Sequence, residues 1–590
     1  MRSQGQFWLY AAVIVALNVA FSFVHWDVDL TTDGRFTMNE ATYKLVDEID
    51  ETITVEIYLE GKLPAALKEL QDKTRELLER FRRRNELIEY VFIDPYANVE
   101  GGDTSAATKG APTTYIKALE QKMKFLRRPV RKLEIAIDND GVREQYSIMP
   151  AAVVRKGTQE QIIDLMEYVP GVDVDYSRVE YITPSVNMLE YKFANAIQKL
   201  MLRQRKRIAF LTGHGEMAFP HTQSLWAELR EHHDVAYVNL DSTLRVDTLF
   251  DILFVVRPLQ PLGERHQFLI DQYIMQGGNV VWAIDPLEVD MDSLAKMGVW
   301  MPYERRLDVM SLLFNYGARI NSNLIADLTC SQLPVIVGDA GGQPQIKLRP
   351  WLYHVRAFPY SRPEEREQGT AIQHPIVRNL DYVDTRYPSS IDTVKTRTAV
   401  QKTPLLRSSR YSKVQFPPLE ININMAKANI GQEAFPPNKG YQNIAMLLEG
   451  EFESHFRNRI SPEMERSFRE AGREILLKSR RPSKMIIISD ADILRGEVIR
   501  GEMPPIGFNK FENYQYGNRD FVLNCVEYLL DNKGILAARN KELKMRVLDR
   551  ERFFEEKQQW WFINLLLPLT LLAIFGFGYN WLRLRRYART

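Results

Sequence analysis

The chain has 590 residues, 45% hydrophobic and 26% charged, enough to bury several cores and to make about three or four domains. Its 77 Lys and Arg offset 76 Asp and Glu, and a formal charge of +1 supplies no bulk basic field for nucleic acid. Two cysteines, Cys330 and Cys525, exclude a disulfide-rich scaffold and any multi-cysteine metal site; they are either buried free thiols or one bridge.

Residues Phe7–Val24 (FWLYAAVIVALNVAFSFV) carry no charge. As a helix they are roughly 27 Å long, just enough for a hydrocarbon core. A cleavable signal peptide is the alternative to a retained anchor, but no clear A-x-A site follows and the apolar region is long. The sequence therefore favours an N-terminal transmembrane anchor over residues 1–26, with Ala11, Ala12 and Ala16 as either a helix-packing stripe or lipid-facing residues.

Residues 27–184 read as an α/β domain. Thr37 or Asn39 is placed to cap a first helix. TITVEIYLE (Thr52–Glu60) alternates as a strand. The helix after it brings Leu67, Leu70, Thr74, Leu77, Leu78 and Phe81 onto one face, and LIEYVFIDP (Leu87–Pro95) follows as a parallel strand. Beyond a loop over 97–112 and a second helix over 112–125, an extended segment reaches Met149-Pro150, then strands AAVVRKG and QIIDLM. A proline ahead of a central strand on this background resembles the thioredoxin fold, where that proline is cis and borders the redox site. No cysteine precedes Cys330, so the C-x-x-C and its thiol–disulfide chemistry are absent.

Residues 185–206 form an amphipathic linker helix. From Arg207, short apolar strands (RIAFLTGHGE, VAYVNL, DILFVVRP, NVVWAID, LPVIVG) alternate with helices. This predicts a mostly parallel, flavodoxin- or amidotransferase-like sheet over 207–340, completed by KMIIISDAD and its following helix within 481–536. Residues 341–480 read as a β-rich insertion. A charged stalk helix over 537–559 runs into a second span, Trp560–Leu582. Trp560 and Trp561 border one side of that span and Tyr579 and Trp581 the other, while Pro568 is tolerated inside it. The tail 583–590 carries Arg583, Arg585, Arg586 and Arg589, which places the C-terminus in the cytoplasm. Two spans then put both termini in the cytoplasm, with lipid around the spans and the bulk of the chain outside, in the periplasm of a cell with an inner membrane.

Chemistry is sparse. Without a G-x-x-x-x-G-K-[ST] loop the chain has no cradle for a nucleotide triphosphate. TGHGE ends a strand where open α/β sheets place sites, so His214 and Glu216 are either a base with its partner or a tight glycine turn. Asp490 and Asp492 end another strand and either close a pocket with His214 or cap the next helix. His232 and His233, adjacent, point apart and read as a solvated helix end rather than a metal site. An amidotransferase-like enzyme needs a cysteine on a strand-to-helix elbow; Cys330 lacks flanking elbow glycines and Cys525 lies mid-helix. No catalytic residue, cofactor or metal ligand is assigned.

Several segments together carry a resemblance: RFTMNEATYKL, VEIYLEGKLPAALKELQDKTRELLERF, HPIVRNLDYV with YPSSIDTV, NIAMLLEGEFESHF, SKMIIISDADILRGEVI and YGNRDFVLNCVEYLLDN. In this order, with both anchors, the chain resembles the gliding-motility-associated ABC transporter auxiliary subunits of Bacteroidetes, the GldG family. The resemblance implies a multi-span permease and a separate ABC ATPase as partners. It also implies a link to gliding and associated secretion, periplasmic protein partners, and an α/β domain similar to one in intraflagellar-transport proteins. Members are often labelled substrate-binding, so a solute-binding subunit is the alternative to a non-catalytic coupling subunit. The family offers no catalytic residues to carry over.

Overall fold

A computed structural model describes residues 37–94, 133–167, 179–360 and 373–540, apart from short breaks, and 550–587. The expected N-terminal anchor and the helix expected over 112–125 lie outside the described residues.

Asn39 caps α1 (Glu40–Asp47), its side chain accepting from the Ala41 N–H. In β1 (Ile53–Ile57) the alternation buries Ile53, Val55 and Ile57. Along α2 (Ala65–Arg84) the 3.6-residue period turns Leu67, Leu70, Thr74, Leu77, Leu78 and Phe81 inward. β2 (Ile88–Phe92) pairs parallel with β1. A separate hairpin of β3 (Leu133–Asn139) and β4 (Val142–Ile148) precedes β5 (Ala151–Lys156) and β6 (Gln159–Asp164). The four-stranded sheet has order β2-β1-β5-β6, with β5 antiparallel to both neighbours. The bond before Pro150 is trans: Pro417-Pro418 is the one cis peptide among the described residues. The chain instead enters β5 through a tight turn in which the Ala151 N–H donates to the Met149 carbonyl at 2.8 Å. The helix α3 (Thr183–Met201) then covers the sheet and leads toward the second domain.

The second domain begins with β7 (Arg207–Thr212), α4 (Phe219–His232), β8 (Asp234–Asn239), β9 (Ile252–Val256), α5 (Glu264–Met275) and β10 (Asn279–Ala283). Then come β11 (Cys330–Ala340), β12 (Gln343–Pro359), β13 (Val400–Arg407), β14 (Asn443–Gly450), β15 (Ser483–Ile488) and α6 (Asn518–Leu530). One ten-stranded sheet runs β11-β12-β13-β14-β15-β10-β9-β7-β8, with the short strand Val383–Asp384 beside β12. β15, β10, β9, β7 and β8 are parallel, in the 2-1-3-4-5 order of a doubly wound sheet. β9 reads as an unbroken apolar run because both of its faces are covered. Leu253 and Val255 join a core with α5, and Ile252, Phe254 and Val256 join one with α4 and α6.

The LPVIVG segment departs from the expected parallel arrangement. It lies in β11, the outer strand, antiparallel to β12. An apolar run does not encode strand direction; here a short connection folds β11 straight back into a hairpin. The segment 341–480 supplies antiparallel strands that widen the same sheet.

After α6 the chain returns to the first domain. Ile535, Leu536 and Ala538 are buried in the core formed by α1, α2, α3 and the four-stranded sheet. The helix α7 (Arg550–Tyr587) is continuous through Pro568. Its stretch Ile563–Arg585 is the one helix among the described residues long and apolar enough to cross a membrane.

Candidate functional site

The C-terminal ends of the parallel strands carry two polar clusters. The first is built on the turn after β7. Gly213 and Gly215 take φ of 116° and 72°, a left-handed conformation that glycine adopts without strain. The turn swings His214 and Glu216 into contact. His214 Nδ1 lies 2.9 Å from Glu216 Oε1, and the His214 backbone N–H donates to Glu216 Oε2 at 2.7 Å. The other ring nitrogen, Nε2, sits 2.8 Å from Nδ1 of His266 in the first turn of α5, and His266 Nε2 is 2.9 Å from Asp241 Oδ1. The result is a carboxylate–imidazole–imidazole–carboxylate chain. Burial opposes charge on Glu216, but the bonds from His214 hold its pKa below the usual value. Burial and the neighbouring His214 lower that of His266. Both nitrogens of His214 are engaged within the chain. Among the described residues no group of three or more His, Cys, Asp or Glu is placed to hold a metal ion.

The second cluster joins the ends of β9, β10 and β15. Arg257, the residue after β9, has φ of 51° and turns its guanidinium to Asp285, with Nε 3.1 Å from Oδ2, and toward Asp492 at 3.9 Å. Such a conformation costs a non-glycine residue of order 1 kcal/mol or more and persists only when surroundings impose it. Asp285 accepts from the Ala491 N–H at 2.6 Å. Asp490 caps the short turn Ala491–Leu494, accepting from the Asp492 N–H at 2.9 Å and from the Arg386 N–H at 2.5 Å. Arg495 lies 3.4 Å from Asp492, Arg386 pairs with Glu497 at 2.9 Å, and Arg305 pairs with Glu288. Burial and Asp492 push Asp285 up to about 6, and burial with both neighbouring carboxylates raises Asp490 well above the usual range. Burial also opposes charge on Asp492, but Arg257, Arg386 and Arg495 outweigh it and hold that carboxylate ionised.

His214 and Glu216 are thus brought together, and so are Asp490 and Asp492, in two networks whose hydrogen bonds run to different partners. His266, Asp241, Arg257, Asp285, Arg305, Arg386 and Arg495 complete them without having been singled out in the sequence. Arg257 and Asp285 directly follow apolar strands, so the strand-end rule that marks His214 also reaches them. Arg386 comes from the segment widening the sheet and has no local signal.

Other expected features resolve individually. Cys330 and Cys525 are both free and buried. Burial pushes the Cys330 thiol up to about 12 and Cys525 well above its usual value, so neither is a ready nucleophile. His232 ends α4 and His233 is its C-cap; burial pushes His233 down to about 4. Trp560, Trp561, Pro568, Arg583, Arg585 and Arg586 all lie in α7. Trp561 is exposed, and the Arg585 guanidinium sits 4.1 Å from the centre of the Trp581 ring.

Comparison with known proteins adds three findings. A family described as "ABC-type uncharacterized transport system", an ABC transporter auxiliary family, matches residues 205–525, and a "Domain of unknown function (DUF7088)" matches residues 32–155. No curated protein matches the chain in sequence. Among solved structures, "mmIFT52 N-terminal domain" is similar at 10% identity and a TM-score of 0.30, over 55% of this chain and 98% of that one.

Proposed function

We propose that this chain, which belongs to the ABC-type uncharacterized transport system auxiliary family, is a membrane-anchored, non-catalytic accessory subunit of an ABC transporter. The reading rests on the family match across more than half of the chain, residues 205–525, taken with the apolar helix Ile563–Arg585 that follows it. In this reading a multi-span permease and a separate ABC ATPase are the partners. The two globular domains are periplasmic, both termini are cytoplasmic, and the complex serves gliding motility and its secretion machinery. The first domain is a thioredoxin-like scaffold without its redox pair. The βαβ–ββα order of its sheet and the absence of any cysteine before Cys330 support that assignment.

The coupling route follows from connectivity. Movement of the permease reaches α7 and passes into the segment 535–538, which is packed in the first domain's core. Purification of the tagged full chain from native membranes in mild detergent tests the reading. A permease and an ATPase eluting with it in fixed ratio is the expected result; elution alone overturns it.

The strand-end clusters favour one second reading, a solute-binding subunit whose ligand sits near His214, Glu216, Asp490 and Asp492. It requires a small molecule that raises the melting temperature of the purified chain in a concentration-dependent way. Loss of that shift on substituting Arg257 would locate the site.

A further inference from the structure

β11 and β12 leave the sheet as a two-stranded ribbon. β12 joins the sheet only through Phe358 and Pro359, beside Arg407 and Leu406, and beside the short strand at Val383–Asp384. At the base Trp351 and Tyr353 are buried in a core built from segments that follow β10. The ribbon therefore grows from the end of the sheet that carries the two polar clusters. The opposite end, where Lys206 meets Asp251 and Asn279 bonds the Leu529 carbonyl, leads through α3 and α6 to the first domain and the membrane helix.

The outer part of β12 is exposed, whereas Leu333 and Val335 of β11, opposite Arg349 and Lys347, are buried against the core at the base. Residues 344–350 are all exposed, Ile346 at 63%. Their side chains alternate: Ile346 and Leu348 share a face with Ile336 and Pro334 across the ribbon, and Lys347 and Arg349 lie on the other. The two edges differ. Pro334 has no N–H to offer on the outer edge of β11, and a bulge between Ile336 and Gly338 breaks its register, both devices that block strand addition. The free edge of β12 is interrupted only at its limits, by Pro344 and Pro350. Over Gln345–Arg349 no strand pairs with it among the described residues.

We propose that this edge of β12 receives an extended segment of a separate partner protein whose residues alternate apolar and acidic. Backbone pairing would supply the affinity. An apolar residue beside Ile346 or Leu348 and a carboxylate beside Lys347 or Arg349 would supply the choice of partner. Lys347 and Arg349 are exposed and have no acidic partner among the described residues. A second copy pairing edge to edge would bring these cations onto one another, which disfavours self-association. The ribbon lies at the end of the sheet away from the first domain, into which the chain runs ahead of α7, and this disfavours lipid. This inference is independent of which transporter components the chain accompanies.

The test uses the full chain in detergent and a fluorescent peptide of alternating Val and Glu, with a Val and Lys peptide as its counterpart. Saturable binding of the Glu peptide is expected, weakened at least tenfold in Lys347→Glu/Arg349→Glu, while that variant gains binding of the Lys peptide. N-methylation of the peptide amides on one edge should abolish binding. Unchanged melting temperature confirms that the variant folds, and Ile346→Thr/Leu348→Thr provides a second, charge-neutral loss. No binding of the Glu peptide, binding indifferent to the charge swap, or dimerisation through β12 on sedimentation would each overturn the proposal.

Discussion

Lys199 Nζ on α3 lies 2.7 Å from Glu527 Oε1 on α6, and this contact ties the first domain to the sheet domain. Tyr191 and Asn195 on α3 also donate to Glu527. Burial opposes the charge, but Lys199, Tyr191 and Asn195 hold the Glu527 carboxyl down to about 2. A depressed carboxylate contributes its full stability above the unfolded value near ~4.3 and loses it as pH falls toward its folded value. Thermal unfolding should therefore show an acid limb between about pH 4 and 2, flattened in Glu527→Gln. At neutral pH Lys199→Met should cost about 3 kcal/mol by leaving the carboxylate without its cation. An unchanged acid limb in the Gln variant would remove Glu527 from the account.

Asp384 carries the opposite sign. Burial pushes its carboxyl up to about 6, against Arg386 and the bond from Ser331 Oγ at 2.7 Å. Its contribution is complete below the unfolded value near ~3.9 and is lost as pH rises through about 6. Asp384→Asn keeps an acceptor for Ser331 and removes the buried charge. The variant should be more stable than the parent at pH 7, by about 1–3 kcal/mol, and no more stable at pH 4. Denaturation at the two pH values checks this; a gain equal at both would mean that titration is not the cause.

Asp492 is the hub of the second strand-end cluster, since Arg257, Arg386 and Arg495 all bear on it. Removing its charge leaves buried guanidinium groups short of a counter-ion. Asp492→Asn should lower stability by about 3 kcal/mol at neutral pH. Arg495→Met, removing a partner that is 30% exposed, should cost under about 1 kcal/mol. Comparable losses in the two variants would contradict the hub arrangement.

Much of this fold is legible because it is periodic. The stripe from Leu67 to Phe81 marks α2, and the apolar runs Ile252–Val256 and Val280–Ala283 mark strands covered on both faces. Direction and long-range pairing are not periodic. Leu333–Gly338 looks like another buried parallel strand, although it is the outer strand of a hairpin, because composition encodes burial and not the neighbour's direction. The clusters are half legible for the same reason. Glycine turns and strand ends announce His214 and Asp490, whereas Arg386 reaches Asp490 across 104 residues of sequence. The short stretch Ile535–Ala538 carries no signal that its partners lie near Leu45 and Ile197, hundreds of residues earlier in the chain.

That stretch makes the most direct claim about how the anchor is connected. Ile535 is 1% exposed and Leu536 4%, and the Leu536 N–H donates to Asp531 Oδ2 at 2.8 Å, which fixes the turn that delivers them. Replacing Ile535 with Ala removes a core side chain and should cost about 2–4 kcal/mol, and Asp there should cost more. The loss should fall on the first domain. In hydrogen exchange, peptides of α1, α3 and β1 should lose protection while β9 and β10 keep theirs, because the sheet domain's cores do not include Ile535. Truncation after Leu530 should reproduce the pattern, and Val498→Ala, at a site 55% exposed, should not. Loss of protection confined to β9 and β10 would show instead that the tether is held by the sheet domain, and the path from α7 into the first domain would have to be abandoned.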